Sequence, residues 1–380
     1  MKARRYQLTK DAASIILRGH PWLFRDSLSS AASVFQDGDL LRLVDGTNTV
    51  VAWGIYEAEG AIAVRIVRRG AERPDAKWLT AALTAAIGRR AALGARTTGI
   101  RLVHGESDGI PAVVADRFGD TIVVTSYSQG ADAYARFVAR SLRTQAANVV
   151  IAPAHRRRGV PQPVRVISGA PPEVATFVED GLAYAVDLAE GQKTGTYLDL
   201  RGLRSAIAGL PLAGARTLNL FSYTGMLGRA AEAAGATDIT HVDQSARALT
   251  FARTHHATDP SRHHYIEADI FAWLPTFEAQ PFDLVIVDPP SMTSSKAQVP
   301  KVLAAYKKLY KTARTHVAPG GRLVAACCTS RIERAVFART VKDALGEGFT
   351  QEHELPVELD HPVGFPQADY LKISLWRRSS

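Results

Sequence analysis

Cysteine is nearly absent from this 380-residue chain: it has two, Cys327 and Cys328, and they are neighbours. Adjacent cysteines cannot staple distant parts of a fold, and two ligands alone do not make a zinc site, so any role they have lies in reactivity or local packing. Long apolar runs are missing too. Nothing is long enough to span a bilayer, and Met1-Lys2-Ala3-Arg4-Arg5 leads into Tyr6-Gln7-Leu8-Thr9-Lys10 rather than an apolar core, so neither a secretory signal nor a membrane span is expected and the chain reads as cytoplasmic. Internal repeats and low-complexity tracts are also absent.

Hydrophobic content of 46% and charged content of 22% are those of a globular protein, and the length calls for two or three domains. The formal net charge of +9 favours a polyanionic partner. Nucleic acid ranks ahead of a membrane surface because no basic amphipathic anchor stands out.

Residues 1–70 read as a small β-barrel. Leu40 to Val44, Val50 to Tyr56 and Ala61 to Val67 are strands separated by Asp45-Gly46 and Glu59-Gly60 turns. Before them, Arg18-Gly19-His20-Pro21-Trp22-Leu23-Phe24 interleaves basic and aromatic residues. It is either an RNA-contacting surface or the seal of the barrel. Residues 71–175 read as a small mixed α/β layer, with a helix from Trp78 to Ile87, strands at Pro111 to Asp116, Thr121 to Thr125 and Val149 to Ile151, and a helix from Tyr134 to Arg143. His155-Arg156-Arg157-Arg158-Gly159 is a candidate phosphate contact or a solvated charge run. A hairpin turning at Asp180-Gly181, within 174–190, bridges to the last domain, 176–380. There, after the polar loop Gly191-Gln192-Lys193-Thr194-Gly195 and a helix from Tyr197 to Leu210, strands alternate with helices over short connections, the pattern of a parallel sheet covered on both faces.

The strand Phe282-Asp283-Leu284-Val285-Ile286-Val287 ends abruptly in Asp288-Pro289-Pro290-Ser291, because proline can continue neither ladder nor helix. Asp288 therefore stands at the carboxyl end of a buried strand, where open α/β sheets bind ligands. Three other strand ends match it: Ser222-Tyr223-Thr224-Gly225 after the first, Asp243 after the second and Asp269 past the third. Acids at the second and third ends suit the hydroxyls of a ribose and the amino group of an adenine. The phosphate-cradling Gly-x-Gly-x-x-Gly is absent, with only Gly225 and Gly228 nearby, which argues against a dinucleotide. S-adenosylmethionine has adenosine and no phosphate, and fits.

The cysteines follow Pro319-Gly320-Gly321 on the strand expected beside Asp288. Alternation along a strand lets at most one of them face the site. Either both are small buried hydrophobes or one is a nucleophile. Carbon 5 of a pyrimidine accepts a methyl group only after a thiolate adds at carbon 6, whereas methylation of an exocyclic nitrogen or ribose oxygen needs no thiol.

These stretches resemble the S-adenosylmethionine-dependent large-subunit ribosomal RNA cytosine-C5 methyltransferases that carry an N-terminal PUA domain. The resemblance covers nearly the whole chain through Arg18 to Phe24, Ala115 to Asp120, Gly191 to Arg201, Leu218 to Gly225, Asp288 to Ser291 and Cys327 to Ser330. It implies a class I, Rossmann-like α/β methyltransferase domain with its last strand antiparallel, a PUA barrel and a small central α/β domain. It implies that Tyr197, Asp199 and Arg201 close over the methionine end of the cofactor. Asn219, Phe221, Ser222, Tyr223, Thr224 and Gly225 would underlie the cofactor, Asp243 and Asp269 would take ribose and adenine, and Asp288 and Pro289 would line the site. The resemblance also implies that Cys328 falls on the family's nucleophile, with Asp288 at the cytosine ring, and that the partner is 23S-type ribosomal RNA. Met226 stands where relatives often have glycine, and Cys327 where they often have serine. A transferase acting on another RNA atom or a small molecule, and a non-catalytic RNA-binding assembly factor, are the alternatives; a homodimer stays open.

Overall fold

The computed structural model describes residues 3–29, 34–157, 160–189, 191, 194–293 and 295–380. Gln192, Lys193, Arg158 and Gly159, named above in candidate loops, lie outside the described residues. The chain forms two compact units. The first comprises Met1–Gly181, Val186–Leu198 and Leu359–Phe365; the second comprises Leu182–Ala185, Asp199–Glu358 and Pro366–Ser380.

In the first unit, β1 (Arg4–Gln7), α1 (Lys10–Leu17), β2 (Trp22–Phe24), β3 (Leu40–Val44), β4 (Val50–Tyr56) and β5 (Ile62–Arg69) come first. Thr9 starts α1 by accepting the Ala12 N–H at 3.1 Å, which satisfies one of the free donors of its first turn. The strands form a five-stranded sheet in the order β1-β3-β4-β5-β2. Every strand and α1 feed one core, built on Tyr6, Ile16, Leu23, Leu43, Tyr56 and Val64, so the two edge strands enclose the same interior as a small barrel does.

A second layer of this unit contains α2 (Ala76–Arg89), β6 (Gly99–His104), β7 (Val113–Phe118), β8 (Thr121–Ser126), α3 (Asp132–Leu142), β9 (Asn148–Ile151), β10 (Arg156–Arg157), β11 (Val160–Pro161) and β12 (Arg165–Ser168). Its main sheet runs β12-β9-β8-β7-β6, with Leu79 and Leu83 of α2 and Val138 and Leu142 of α3 in the shared core. Asp116, fully buried on β7, is gripped by both arms of Arg101 at 2.8 and 2.9 Å and accepts the Thr194 hydroxyl at 2.6 Å. Trp22 is tied inside the unit as well: its indole N–H donates to Glu106 at 2.8 Å and its ring meets Phe365 edge-on at 4.8 Å. That arrangement favours the sealing role for Trp22.

The hairpin strands β13 (Val174–Glu179) and β14 (Leu182–Asp187) turn at Asp180 and Gly181, both with positive φ. The second unit then adds α4 (Arg201–Ala208), β15 (Arg216–Leu220), α5 (Met226–Ala233), β16 (Asp238–Asp243), α6 (Ala246–His255), β17 (His263–Glu267), α7 (Ile270–Trp273), β18 (Phe282–Val287), α8 (Val299–Ala313), β19 (Val317–Cys327), α9 (Arg334–Leu345), β20 (Phe349–Glu354) and β21 (Lys372–Arg378). Its seven strands are ordered β17-β16-β15-β18-β19-β21-β20. The first five are parallel, and β21 runs antiparallel to β19. The core on one face combines Val285 and Val287 of β18 with Ala325 and Cys327 of β19 and with Tyr306, Tyr310 and Phe337 of α8 and α9.

Three features depart from the sequence reading. Tyr197 lies outside the helix expected from it, which begins at Arg201 after a 3-10 turn. The strand at the cysteines starts at Val317 and takes in Pro319-Gly320-Gly321 through an irregular register. α9 went unmarked although Phe337, Val341, Ala344 and Leu345 bury one helical face.

Asp116→Ala removes the carboxylate from a buried ion pair with Arg101 and is expected to cost about 3–5 kcal/mol of stability, as loss of one partner from a buried pair does. Urea denaturation checks it; a cost under about 1 kcal/mol, the range of exposed pairs, would contradict it.

Candidate active site

The parallel ladder aligns the strand ends. Leu220 pairs with Val242 on one side and Val287 on the other, and Val287 pairs with Ala325. The residues after these strands therefore emerge along one edge of the sheet.

The loop after β15 is bent unusually. Phe221 and Tyr223 have φ of 58° and 47°, left-handed values that side chains resist, and Gly225 has φ of 79°. Anchors hold it there. Ser222 N–H donates to Val242 O at 3.1 Å and Tyr223 N–H to the Asp243 carboxylate at 2.8 Å. The carbonyl of Thr224 accepts from His256 Nδ1–H at 2.5 Å, while His256 Nε2 accepts the Ala185 N–H at 3.0 Å. Only the neutral Nδ1–H tautomer makes both bonds. A second buried ring supports the glycines: a Cβ on Gly228 would lie 2.2 Å from His241. Asn219, fully buried below the loop, donates to His241 Nδ1 at 3.4 Å, and His241 Nε2 meets His263 Nδ1 at 3.0 Å. Burial pulls His256 from 6.5 to about 4 and, helped by repulsion from the neighbouring histidines, His241 to about 3.

Asp243, half-buried as the last residue of β16, is oriented by the Tyr223 and Ser245 N–H groups at 2.8 and 2.9 Å, which leaves carboxylate lone pairs for a ligand's hydroxyls. Asp269 is exposed and caps α7 through Phe271 N–H at 3.0 Å. Nearby, the exposed ring of Phe271 meets Phe221 edge-on at 5.7 Å. Asp199 accepts the Tyr370 hydroxyl at 2.6 Å, and buried Arg201 pairs with Glu358 at 3.0 Å. Tyr197 belongs to the first unit.

The two cysteines diverge. Cys327 is 0% exposed in the aromatic core, while Cys328 is half-buried and its thiol lies 3.7 Å from the Pro289 carbonyl. Val287 and Cys327 share the core face, so alternation sends Asp288 and Cys328 toward the other face. Ser291 and Thr329 hydroxyls, 3.2 Å apart, join the loops that follow β18 and β19. Sequence reasoning missed Phe271, His256, Tyr370 and Lys372. None sits in a local motif; each reaches the strand-end edge or its supports through tertiary contacts.

The geometry suits S-adenosylmethionine. Ser222 Oγ is buried with no hydrogen-bond partner among the described residues, the Asp243 carboxylate keeps lone pairs for a ligand, and the sequence offers no glycine cradle for phosphate. Strand order, antiparallel β21 and this edge define a class I methyltransferase fold.

Residues 115–377 match the S-adenosylmethionine-dependent methyltransferase family, and residues 7–69 match a PUA-like domain. A ribosomal RNA large subunit methyltransferase of Deinococcus radiodurans is 31% identical over 97% of this chain and 96% of its own length. Ribosomal RNA large subunit methyltransferase I of Aeromonas salmonicida is 31% identical over 96% and 97%. A SAM-dependent methyltransferase structure from Streptococcus mutans superposes with TM-score 0.83 at 20% identity, covering 98% of this chain and 99% of that one; it shares the fold. The chain belongs to the S-adenosylmethionine-dependent methyltransferase family, with a PUA-like domain at its N-terminal side, and S-adenosylmethionine is its cofactor.

His256→Phe keeps the ring's volume but leaves the Thr224 carbonyl and Ala185 N–H unpaired, and is expected to weaken S-adenosylmethionine binding by about tenfold or more, measured by calorimetry. The histidines also set an acid limit. The unfolded chain takes up their protons near pH 6.5, whereas the native rings resist until about 4 and about 3. Their contribution to stability is therefore complete above pH 6.5 and declines as pH falls through that window. Denaturation at pH 7 and pH 5 should show a smaller loss in His256→Phe than in wild type; an equal loss would contradict this.

Proposed function

We propose that this protein methylates carbon 5 of a cytosine in large-subunit ribosomal RNA through a covalent adduct with Cys328. The observation that carries the proposal is the divergence of the cysteines: one thiol is sealed in the core and the other is half-exposed against the Asp288-Pro289-Pro290 loop. Methylation of a nitrogen or oxygen gives a thiol there no task. Relatives named ribosomal RNA large subunit methyltransferase, similar along their whole length, support the RNA substrate, as does the net charge of +9. In this proposal residues 1–70 hold RNA, 71–175 form the intervening α/β layer and 176–380 carry out the transfer.

When bound, S-adenosylmethionine supplies an electrophilic methyl group on sulfur. The chain's residues make cytosine able to accept it. The Cys328 thiolate adds to carbon 6 of a base presented out of its stack, and the ring's electron pair moves onto carbon 5 while Asp288 hydrogen-bonds nitrogen 3. Carbon 5 takes the methyl group and then loses its proton to a base in the site. The ring double bond reforms as the thiolate leaves. Asp243 and Asp269 hold the adenosine end, and Asp199 and Arg201 the methionine end.

Cys328→Ala is expected to abolish methyl transfer to ribosomal RNA while S-adenosylmethionine binding stays near wild type; Cys327→Ala retains transfer. Digestion of the product RNA should yield 5-methylcytidine. Loss of transfer in Cys327→Ala and its retention in Cys328→Ala would reassign the nucleophile, and retention in both would remove the covalent route.

A further inference from the structure

Acidic residues are missing from positions 289–332. Over that stretch the chain carries eight Lys and Arg side chains and no Asp or Glu, beside a whole-chain net charge of +9. Lys301, Lys307, Lys308 and Lys311 lie on α8, which buries Val302, Tyr306, Leu309, Tyr310 and Ala313 on its core side. At 3.6 residues per turn, Lys301, Lys308 and Lys311 share one arc of about 80° on the opposite side. All three are exposed. The helix leaves the carboxyl end of β18 and returns to the start of β19, which is parallel to β18. It therefore runs away from the strand-end edge, with Lys301 nearer that edge and Lys311 about 15 Å farther along.

A helix face that meets only water gains from mixing signs, because an acid and a lysine four residues apart attract and like charges at that spacing repel. α8 does the reverse. Lys307 and Lys311 are four apart, Lys308 and Lys311 three apart, and the helix has no acid. Lys301 stands in the first turn, where a cation opposes the helix dipole. Among the described residues Lys301, Lys308 and Lys311 form no ion pair, and Lys307 meets Asp343 at 3.8 Å. The face is also concave: a groove of about 530 Å³ is lined by Lys307, Lys308 and Lys311 with Pro275, Thr312 and Thr315. Both threonine hydroxyls donate to backbone carbonyls, Thr312 to Lys308 and Thr315 to Thr312, so the ammonium groups are the side-chain donors left for an anion.

We propose that the lysine face of α8 is an RNA-docking surface on the methyltransferase domain, which holds the phosphate backbone flanking the target base by charge and reads no sequence. This rests on the reading of RNA as substrate and adds a place on the catalytic domain where the strand is gripped. A polyanion relieves the repulsion among the lysines, and a track of about 15 Å spans several backbone phosphates. An acidic protein surface fits less well. Protein interfaces centre on buried aromatic or aliphatic anchors and are depleted in lysine, whereas Pro275 and Ala304 are the apolar side chains of this groove.

The test is filter binding of the full-length protein to large-subunit ribosomal RNA transcribed in vitro, between about 50 and about 200 mM salt. Lys301→Gln, Lys308→Gln and Lys311→Gln combined are expected to weaken binding about tenfold or more at the lower salt. They should also flatten the slope of log affinity on log salt by about two, three phosphates at about 0.7 each. S-adenosylmethionine binding shows that the variant is folded, and arginine at the same three positions should restore slope and affinity. A control removes three exposed cations of the first unit, Lys77→Gln, Arg140→Gln and Arg143→Gln, for the same change in net charge. Unchanged slope and affinity in the α8 variant overturn the proposal, and so does an equal loss in the control, which would reduce the effect to net charge. Weaker binding to a ribosomal particle with none lost on free RNA would assign the face to a protein and overturn it too. A flat salt response of the wild-type protein is a separate outcome, because it defeats the RNA reading itself.

Discussion

The parallel ladder through β15, β18 and β19 is the constraint on which the candidate site depends. Its register sets Leu220, Val287 and Ala325 side by side, and the ends of the three strands bring the Ser222 to Gly225 loop, Asp288 and Cys328 to a single edge. The ladder is secured by burial on both faces: Val285, Ile286 and Val287 are all 0% exposed. Burying each such side chain contributes on the order of 1.5–3 kcal/mol. Pro289 and Pro290 then stop the strand, so Asp288 cannot be drawn into further pairing.

Against that rigid base the site can hold strained backbone. Left-handed φ at Phe221 and Tyr223 costs on the order of 1–3 kcal/mol each, and persists only where neighbours over-determine it. Asp243 supplies one restraint through the Tyr223 N–H, and His256 another through the Thr224 carbonyl. Asp243 thus both shapes the loop and faces outward with lone pairs to offer. The buried histidines work by staying neutral, because a proton on His256 Nε2 would turn the Ala185 bond into a repulsion between donors.

Much of this was legible in the chain itself. A continuous apolar run stopped by Asp288-Pro289-Pro290 marked β18, and the alternation of strands with helices marked the parallel sheet, so the strand-end positions of Asp243, Asp269 and Asp288 could be read without a structure. The adjacency of Cys327 and Cys328 already required that they face opposite ways. What stayed hidden depends on contacts distant in sequence. Lys372 is one lysine in an ordinary strand, and only the β19–β21 register sets it opposite Cys327. His256 follows a helix end where a histidine commonly serves the dipole, and its bonds to Thr224 and Ala185 span 32 and 71 residues. β2 is three residues long and too short to reveal alternation.

The central claim, that a cysteine on β19's end adds to cytosine, has a direct test. Ribosomal RNA substituted with 5-fluorocytidine offers carbon 5 a fluorine that no base can remove as a proton, so the methylated adduct cannot release its thiolate. Incubation with the protein and S-adenosylmethionine, followed by peptide mapping, is predicted to yield a covalent RNA adduct on Cys328 carrying the transferred methyl group. Methyl transfer to unsubstituted RNA with no adduct on either cysteine of the fluorinated one would contradict the account.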